Sequence, residues 1–374
     1  MVYLDSAATT AQKPYRVSQA VTRAMLTMAS PGRGSHSMAE KAAAVSFACR
    51  EEAANLFGLH DPEQVVFTCN ATHALNIAIK SLVHPGDAVV ISGYEHNAVT
   101  RPLHAIGRVD IRVADAPLFR PQELLERFEQ LVTEDVACVI CTHMSNVFGY
   151  ILPIEEIAEL CASRGVPLIV DASQSAGCVP IDMERWHAAF VAMPGHKGLY
   201  GPQGTGLLLC NAPVNPIMEG GTGSASALQQ MPDYLPDRLE AGTPNIPGIA
   251  GLLEGIRFVR RRGVVQIGRH ESQLSRNLAK RLARLPEVCV YEQEGGENCR
   301  GGVISFRVNG KDCEEFGRKL GKMGFAVRSG LHCAPLAHKT AGTLETGTVR
   351  ASISAFNTAE DVDRFVRAVA SASK

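Results

Sequence analysis

The chain has 374 residues, 45% of them hydrophobic and 20% charged, with a net charge of -1. That length accommodates a large core and two domains, and the near-neutral balance excludes the electrostatic footprint of a nucleic-acid or anionic-membrane binder. The start "MVYLDSAATT" lacks a signal peptide's regions, no apolar run is long enough to span a bilayer, and eleven scattered cysteines read as the reduced thiols of a cytoplasmic protein.

In chain order, a helix is expected over "SMAEKAAAVSFACREEAANLFG", opened by Ser37 and Glu40 at capping-box spacing and stopped at Gly58. Six short, nearly all-apolar runs follow: "QVVFT" (64–68), "AVVIS" (88–92), "VACVICT" (136–142), "VPLIVD" (166–171), "AAFVAM" (188–193) and "GLLLC" (206–210). Strands of this kind are buried on both faces, which implies a mostly parallel sheet covered by helices such as "ATHALNIAIKSL" and "PIEEIAELCASRG". The fold class is therefore α/β, with a large α/β/α domain over residues 15–255. Later helices ("ESQLSRNLAKRLARL", "TAEDVDRFVRAVA") and strands ("VISFRV", "FAVRS", "VRASIS") suggest a smaller α+β domain of residues 256–374, joined by residues 1–14.

Four strand-end features could carry chemistry. Asp171 ends "VPLIVD", where open α/β sheets bind ligands. Lys197 lies 26 residues on, in the glycine- and proline-framed loop "MPGHKGLYGP". "TCNATHALN" opens a helix with free N–H groups and the Thr72 hydroxyl, a ready anion site. His96 follows a strand end in "SGYEHNAV". Taken singly, these read as a turn aspartate, a plain helix cap and a structural histidine. Together they supply a phosphate cradle, a carboxylate, an imidazole and an amine, the set that pyridoxal 5'-phosphate requires. No metal is expected, since Cys138 and Cys141 are three apart on a strand and face opposite sides.

Nine motifs in order, "YLDSAATT", "FTCNATHALN", "EHNAV", "HMSNVFG", "VDASQS", "GHKGLYGPQGTG", "LEAGTPN", "RSGLHCAP" and "VRASISAFNT", carry a resemblance over nearly the whole chain. The sequence resembles the class V aminotransferase family of fold type I pyridoxal phosphate enzymes, and within it the cysteine desulfurases and selenocysteine lyase-like proteins. That resemblance implies that Lys197 holds the cofactor, Asp171 partners its ring nitrogen and His96 stacks on its ring. Ala71, Thr72 and His196 match cofactor-phosphate positions, and Gln174 and Asn146 match contacts to the ring oxygen and the substrate carboxylate region. Thr243 matches a threonine reaching the cofactor of the other subunit of a homodimer, and Arg350 an arginine that clamps the substrate carboxylate.

Cys333 matches the catalytic nucleophile, and its neighbours Arg328 and His332 offer positive charge that would favour thiolate. Seventeen positions separate Cys333 from Arg350, as in the subgroup with the shorter catalytic loop. The implied reaction converts L-cysteine to alanine, leaving a persulfide for a sulfur-acceptor protein. The alternatives are selenocysteine lyase, cysteine sulfinate desulfinase, another class V aminotransferase or β-lyase, and a non-catalytic sulfur-trafficking module. One departure stands out: Pro194 replaces a serine that usually binds the phosphate, and Thr222 or Ser224 in "GGTGSAS" are candidates to substitute for it.

Overall fold

The apolar runs become strands of one seven-stranded sheet in the computed structural model, which describes residues 1–32, 34–292 and 299–374. Across the sheet the order is Val65–Thr68, Gly206–Cys210, Phe190–Pro194, Leu168–Asp171, Val136–Thr142, Ala88–Ser92 and Asp110–Ala114. Five neighbouring strands run parallel, while Gly206–Cys210 is antiparallel to both of its neighbours. The edge strand Asp110–Ala114 was not expected from the sequence. Its burial is partial and the charged Asp110 and Arg112 alternate with apolar residues, as an edge strand tolerates.

Side-chain alternation explains why the inner strands are apolar throughout. Val139, Cys141, Val170, Val191 and Met193 enter one core, and Cys138, Ile140, Ile169, Phe190 and Ala192 enter the other. Cys138 and Cys141 thus do lie on opposite faces. Each large apolar side chain withdrawn from water contributes roughly 1.5–3 kcal/mol, so coverage on both faces is the main stabilising term of the sheet. Helices Ala71–Leu82 and Asn97–Ile106 cover the second face. Ser37–Phe57, Pro121–Leu131, Ile154–Ser163 and Ile246–Arg262 cover the first.

The Ser37–Glu40 capping box does not form. The helix already includes Ser37, and its cap is His36, whose ring nitrogen accepts the Ala39 N–H at 3.4 Å. The stop at Gly58 does occur, with that glycine in the left-handed region at φ 69°. A capping box forms instead at Thr358 and Asp361, opening Ala359–Ser373.

A second core gathers Leu4, Leu278, Ile304, Phe306, Phe365 and their neighbours. Its antiparallel sheet runs Arg328–Gly330, Thr348–Ser352, Val303–Val308, Val288–Val290. The run "FAVRS" is split: Phe325–Ala326 pairs instead with Val2–Tyr3 in a separate two-stranded sheet. Among the described residues no helix is long and apolar enough to cross a membrane, and none of the eleven cysteines is joined in a disulfide.

Candidate active site

Strand register places the site. Ser92, Thr142, Asp171 and Pro194 end four adjacent parallel strands, with Thr142 opposite Asp171 and Asp171 opposite Ala192. The loops that leave these ends carry His96, Asn146, Gln174 and Lys197 to one edge of the sheet. A cavity of about 100 Å³ there is lined by Ala71, Thr72, His96, Asn146, Asp171, Gln174, His196 and Lys197, together with Pro194 and Ser173. The first turn of Ala71–Leu82 forms one wall, capped by the Asn70 side chain, which accepts the His73 N–H at 2.8 Å.

The glycines of "MPGHKGLYGP" meet backbone. A Cβ on Gly198 would lie 2.2 Å from the Ala176 carbonyl oxygen, and Gly177, at φ +94°, faces the Gly198 carbonyl as closely. The lysine loop therefore packs directly on the loop that follows Asp171, which fixes the two side chains relative to one another. A second restraint comes from the amino terminus. The Thr10 N–H donates to the His196 carbonyl at 3.1 Å, its hydroxyl reaches the same oxygen at 3.0 Å, and the Lys13 ammonium donates to it at 2.9 Å.

Burial lowers the Lys197 amine to about 8; Asp171 opposes this shift, and Arg350 and Arg328 reinforce it. Burial also holds His96 below the usual imidazole range, again opposed by Asp171 and reinforced by Lys197. The His96 Nδ1 accepts the Ala98 N–H at 3.0 Å and caps its helix. Asp171 is buried and accepts the Ser173 N–H at 2.9 Å. The Gln174 amide donates to the Ala7 carbonyl at 3.0 Å, and the His196 Nδ1 is buried without a partner in the described residues.

Cys333 is exposed at the mouth of a neighbouring groove of about 320 Å³, which shares Thr72, His96 and Ala98 with the Lys197 cavity. The Arg328 guanidinium donates to its sulfur at 3.4 Å. His332 and Cys333 both have left-handed backbone, φ 51° and 57°, which is uncommon outside glycine. The charge read for His332 is not there. Its ring is buried, stacked on His338 and turned to Thr348, and burial pushes it down to about 2, so it is neutral. Among the described residues Arg328 is the cation in contact with the sulfur, and Arg350 acts on it at longer range.

Four further candidate residues lie outside the wall of the Lys197 cavity. Thr243 is exposed and lines no part of the Lys197 cavity in its own chain. Thr222 and Ser224 bond to each other at 3.1 Å in a separate depression, so they do not stand in for a serine at Pro194 within one chain. Arg350 is 1% exposed and is absent from the cavity wall.

Glu95 has no counterpart in the sequence reading. It is fully buried beside His96 and accepts the Ser92 hydroxyl at 2.5 Å and the Thr142 N–H at 2.7 Å. Burial pushes its carboxyl up from 4.5 to about 8; the two hydrogen bonds oppose the shift and Asp171 adds to it. A raised folded-state value means stability that is present below about pH 4.5 and is lost as pH rises towards 8. Glu95→Gln, which keeps both acceptor bonds, is therefore expected to gain on wild type across that window. Thermal unfolding at pH 5 and pH 8 checks it: an unchanged difference in midpoint would contradict a neutral Glu95.

The profile of the family described as aminotransferase class-V matches residues 2–365. The chain is 34% identical to a protein named probable cysteine desulfurase from Methanothermobacter thermautotrophicus, over 96% of this chain and 92% of that one. Its structure is similar to that of an apo cysteine desulfurase from Thermococcus onnurineus NA1, with TM-score 0.89, 30% identity and coverage of 99% and 94%. It is similar also to a cysteine desulfurase from Escherichia coli in its S-sulfonic acid form, with TM-score 0.86, 27% identity and the same coverage.

Proposed function

We propose that this chain, which belongs to the class V aminotransferase family, is a cysteine desulfurase that uses pyridoxal 5'-phosphate. The observation that carries the reading is the shared wall: Thr72, His96 and Ala98 border both the Lys197 cavity and the Cys333 groove, so amine and thiol serve one substrate.

The residues fit the cofactor. A buried carboxylate, a depressed amine and an unpartnered ring nitrogen surround a cavity that ends at a helix N-terminus. Lys197 would hold the group, Asp171 would keep its ring nitrogen protonated, and His96 would lie on its ring. Thr72, His196 and the Ala71 N–H would bind its phosphate, and Gln174 its ring oxygen. When bound, the cofactor supplies an electron sink for charge developing at the substrate Cα.

The chain's own groups then act on the substrate. Asn146 and Arg350 orient its carboxylate, and the Lys197 amine moves the proton at Cα. The Cys333 thiolate attacks the substrate sulfur. The new S–S bond forms as the Cβ–S bond breaks, the carbon takes up a proton, and cysteine plus enzyme thiol become alanine plus enzyme persulfide. An acceptor protein would then take the sulfur from exposed Cys333.

A homodimer in the cytoplasm suits this reading. Tyr15, Met25 and Leu26 on one helix and Phe47 on the next are large apolar side chains left exposed, and exposed Thr243 is then free to reach a partner's cofactor. The test is to incubate the holoenzyme with L-cysteine, with and without reductant, and to quantify alanine and sulfide. Alanine formed in step with sulfide supports the reading; pyruvate or an amino-group acceptor product in its place would contradict it.

A further inference from the structure

Arg350 cannot receive a substrate in the state described. Its guanidinium is 1% exposed, with one Nη donating to the Asn146 carbonyl at 2.9 Å and the other to the Asp5 carboxylate at 2.8 Å. Its Nε is buried and has no partner among the described residues. Arg328 lies directly across the antiparallel pair, so a second positive charge neighbours Arg350, whose own partner is the Asp5 carboxylate.

Asp5 is not there by chance of a floppy terminus. It bridges to Ser352 on the strand that carries Arg350, while the Ser352 N–H donates to the Leu4 carbonyl at 2.7 Å and the Ala7 N–H donates to the Ser352 hydroxyl at 2.8 Å. Five residues on, Thr10 holds the carbonyls of His196 and Lys197. The segment 5–10 thus ties the arginine to the lysine loop.

We propose that Asp5 is a built-in placeholder for the substrate's carboxylate, a residue that occupies Arg350 until a ligand carboxylate displaces it. This rests on the role given to Arg350 above. Exchange of one carboxylate for another keeps the buried guanidinium paired at all times, which avoids the cost of an uncompensated buried charge.

A placeholder weakens the apparent affinity of every carboxylate ligand by the fraction of molecules in which it is engaged. An ion pair of ordinary strength leaves about one molecule in five competent, so removing the Asp5 charge is expected to tighten carboxylate binding about fivefold. The measurement is calorimetric titration of the holoenzyme with 3-(methylthio)propionate, which has neither amine nor free thiol and cannot react, and with its methyl ester. Asp5→Asn should bind the acid about fivefold more tightly and the ester unchanged. Asp5→Ser, which removes the charge with less bulk, should do the same and serves if Asp5→Asn folds poorly by thermal unfolding. Unchanged or weaker acid binding in both variants overturns the placeholder role, because a mere buttress for Arg350 would weaken it. The Arg350 assignment is read separately: Arg350→Gln should weaken the acid and not the ester, and if it does not, Arg350 is not the carboxylate site and the placeholder falls with it.

Discussion

Cys333→Ala should retain the cofactor's visible absorbance and still bind cysteine, yet release alanine at least about 10³-fold more slowly, as expected when a nucleophile acting in a concerted set is removed. The expectation follows from placement. Cys333 borders the groove beyond the cavity and contributes nothing to the cavity wall, so its loss leaves the cofactor's surroundings intact. Arg328, at 3.4 Å from the sulfur, is its electrostatic support, and neutral His332 is not. Alkylation of wild type after exposure to cysteine, followed by peptide mapping, should find a persulfide on Cys333. Normal cysteine turnover by the alanine variant would falsify the desulfurase mechanism and favour a β-lyase or transaminase. Selenocysteine turnover can survive in the variant, because selenium leaves more readily without a nucleophile.

Lys197→Ala should abolish turnover, again by at least about 10³-fold, and with it the covalent hold on the cofactor. Borohydride reduction and peptide mapping of wild type should tag Lys197 alone. The pH dependence gives a sharper check. Burial depresses this amine from 10.5 to about 8, so in the cofactor-free protein its neutral, nucleophilic form grows as pH rises to about 8 and is saturated above it. The rate of covalent uptake of pyridoxal phosphate should therefore rise through about pH 8 and then level off. A rate that kept climbing past pH 10 would mark an ordinary solvated lysine and sink the assignment.

Much of the fold was legible because its cause is local. Strands covered on both faces must be apolar at every position, and "AVVIS", "VACVICT" and "GLLLC" are buried from end to end or nearly so. The polar, half-buried "DIRVA" carries no such signal, and that edge strand was missed. The site was legible to the same depth. Lys197, Asp171 and His96 sit at or just past the ends of apolar strands, and a parallel sheet gathers such positions at one edge whatever the intervening sequence does, whereas Gln174 was reached only through the family resemblance.

What residue order could not supply was the direction of side chains and the partners they meet across the fold. The sequence by itself determined an α/β chain with an amine, a carboxylate and a thiol in glycine-bounded loops. Only the tertiary structure decided that His332 turns away from Cys333 and is neutral, and that Glu95 is buried beside His96 with its carboxyl pushed up by burial. It also decided that Gly198 is glycine because Ala176 leaves no room, and that Asp5, 345 residues from Arg350, holds the guanidinium. The physical reason is common to all four. Burial and charge pairing depend on which distant segments pack together, and a pattern read along one chain carries the period of an element but not the identity of its neighbour.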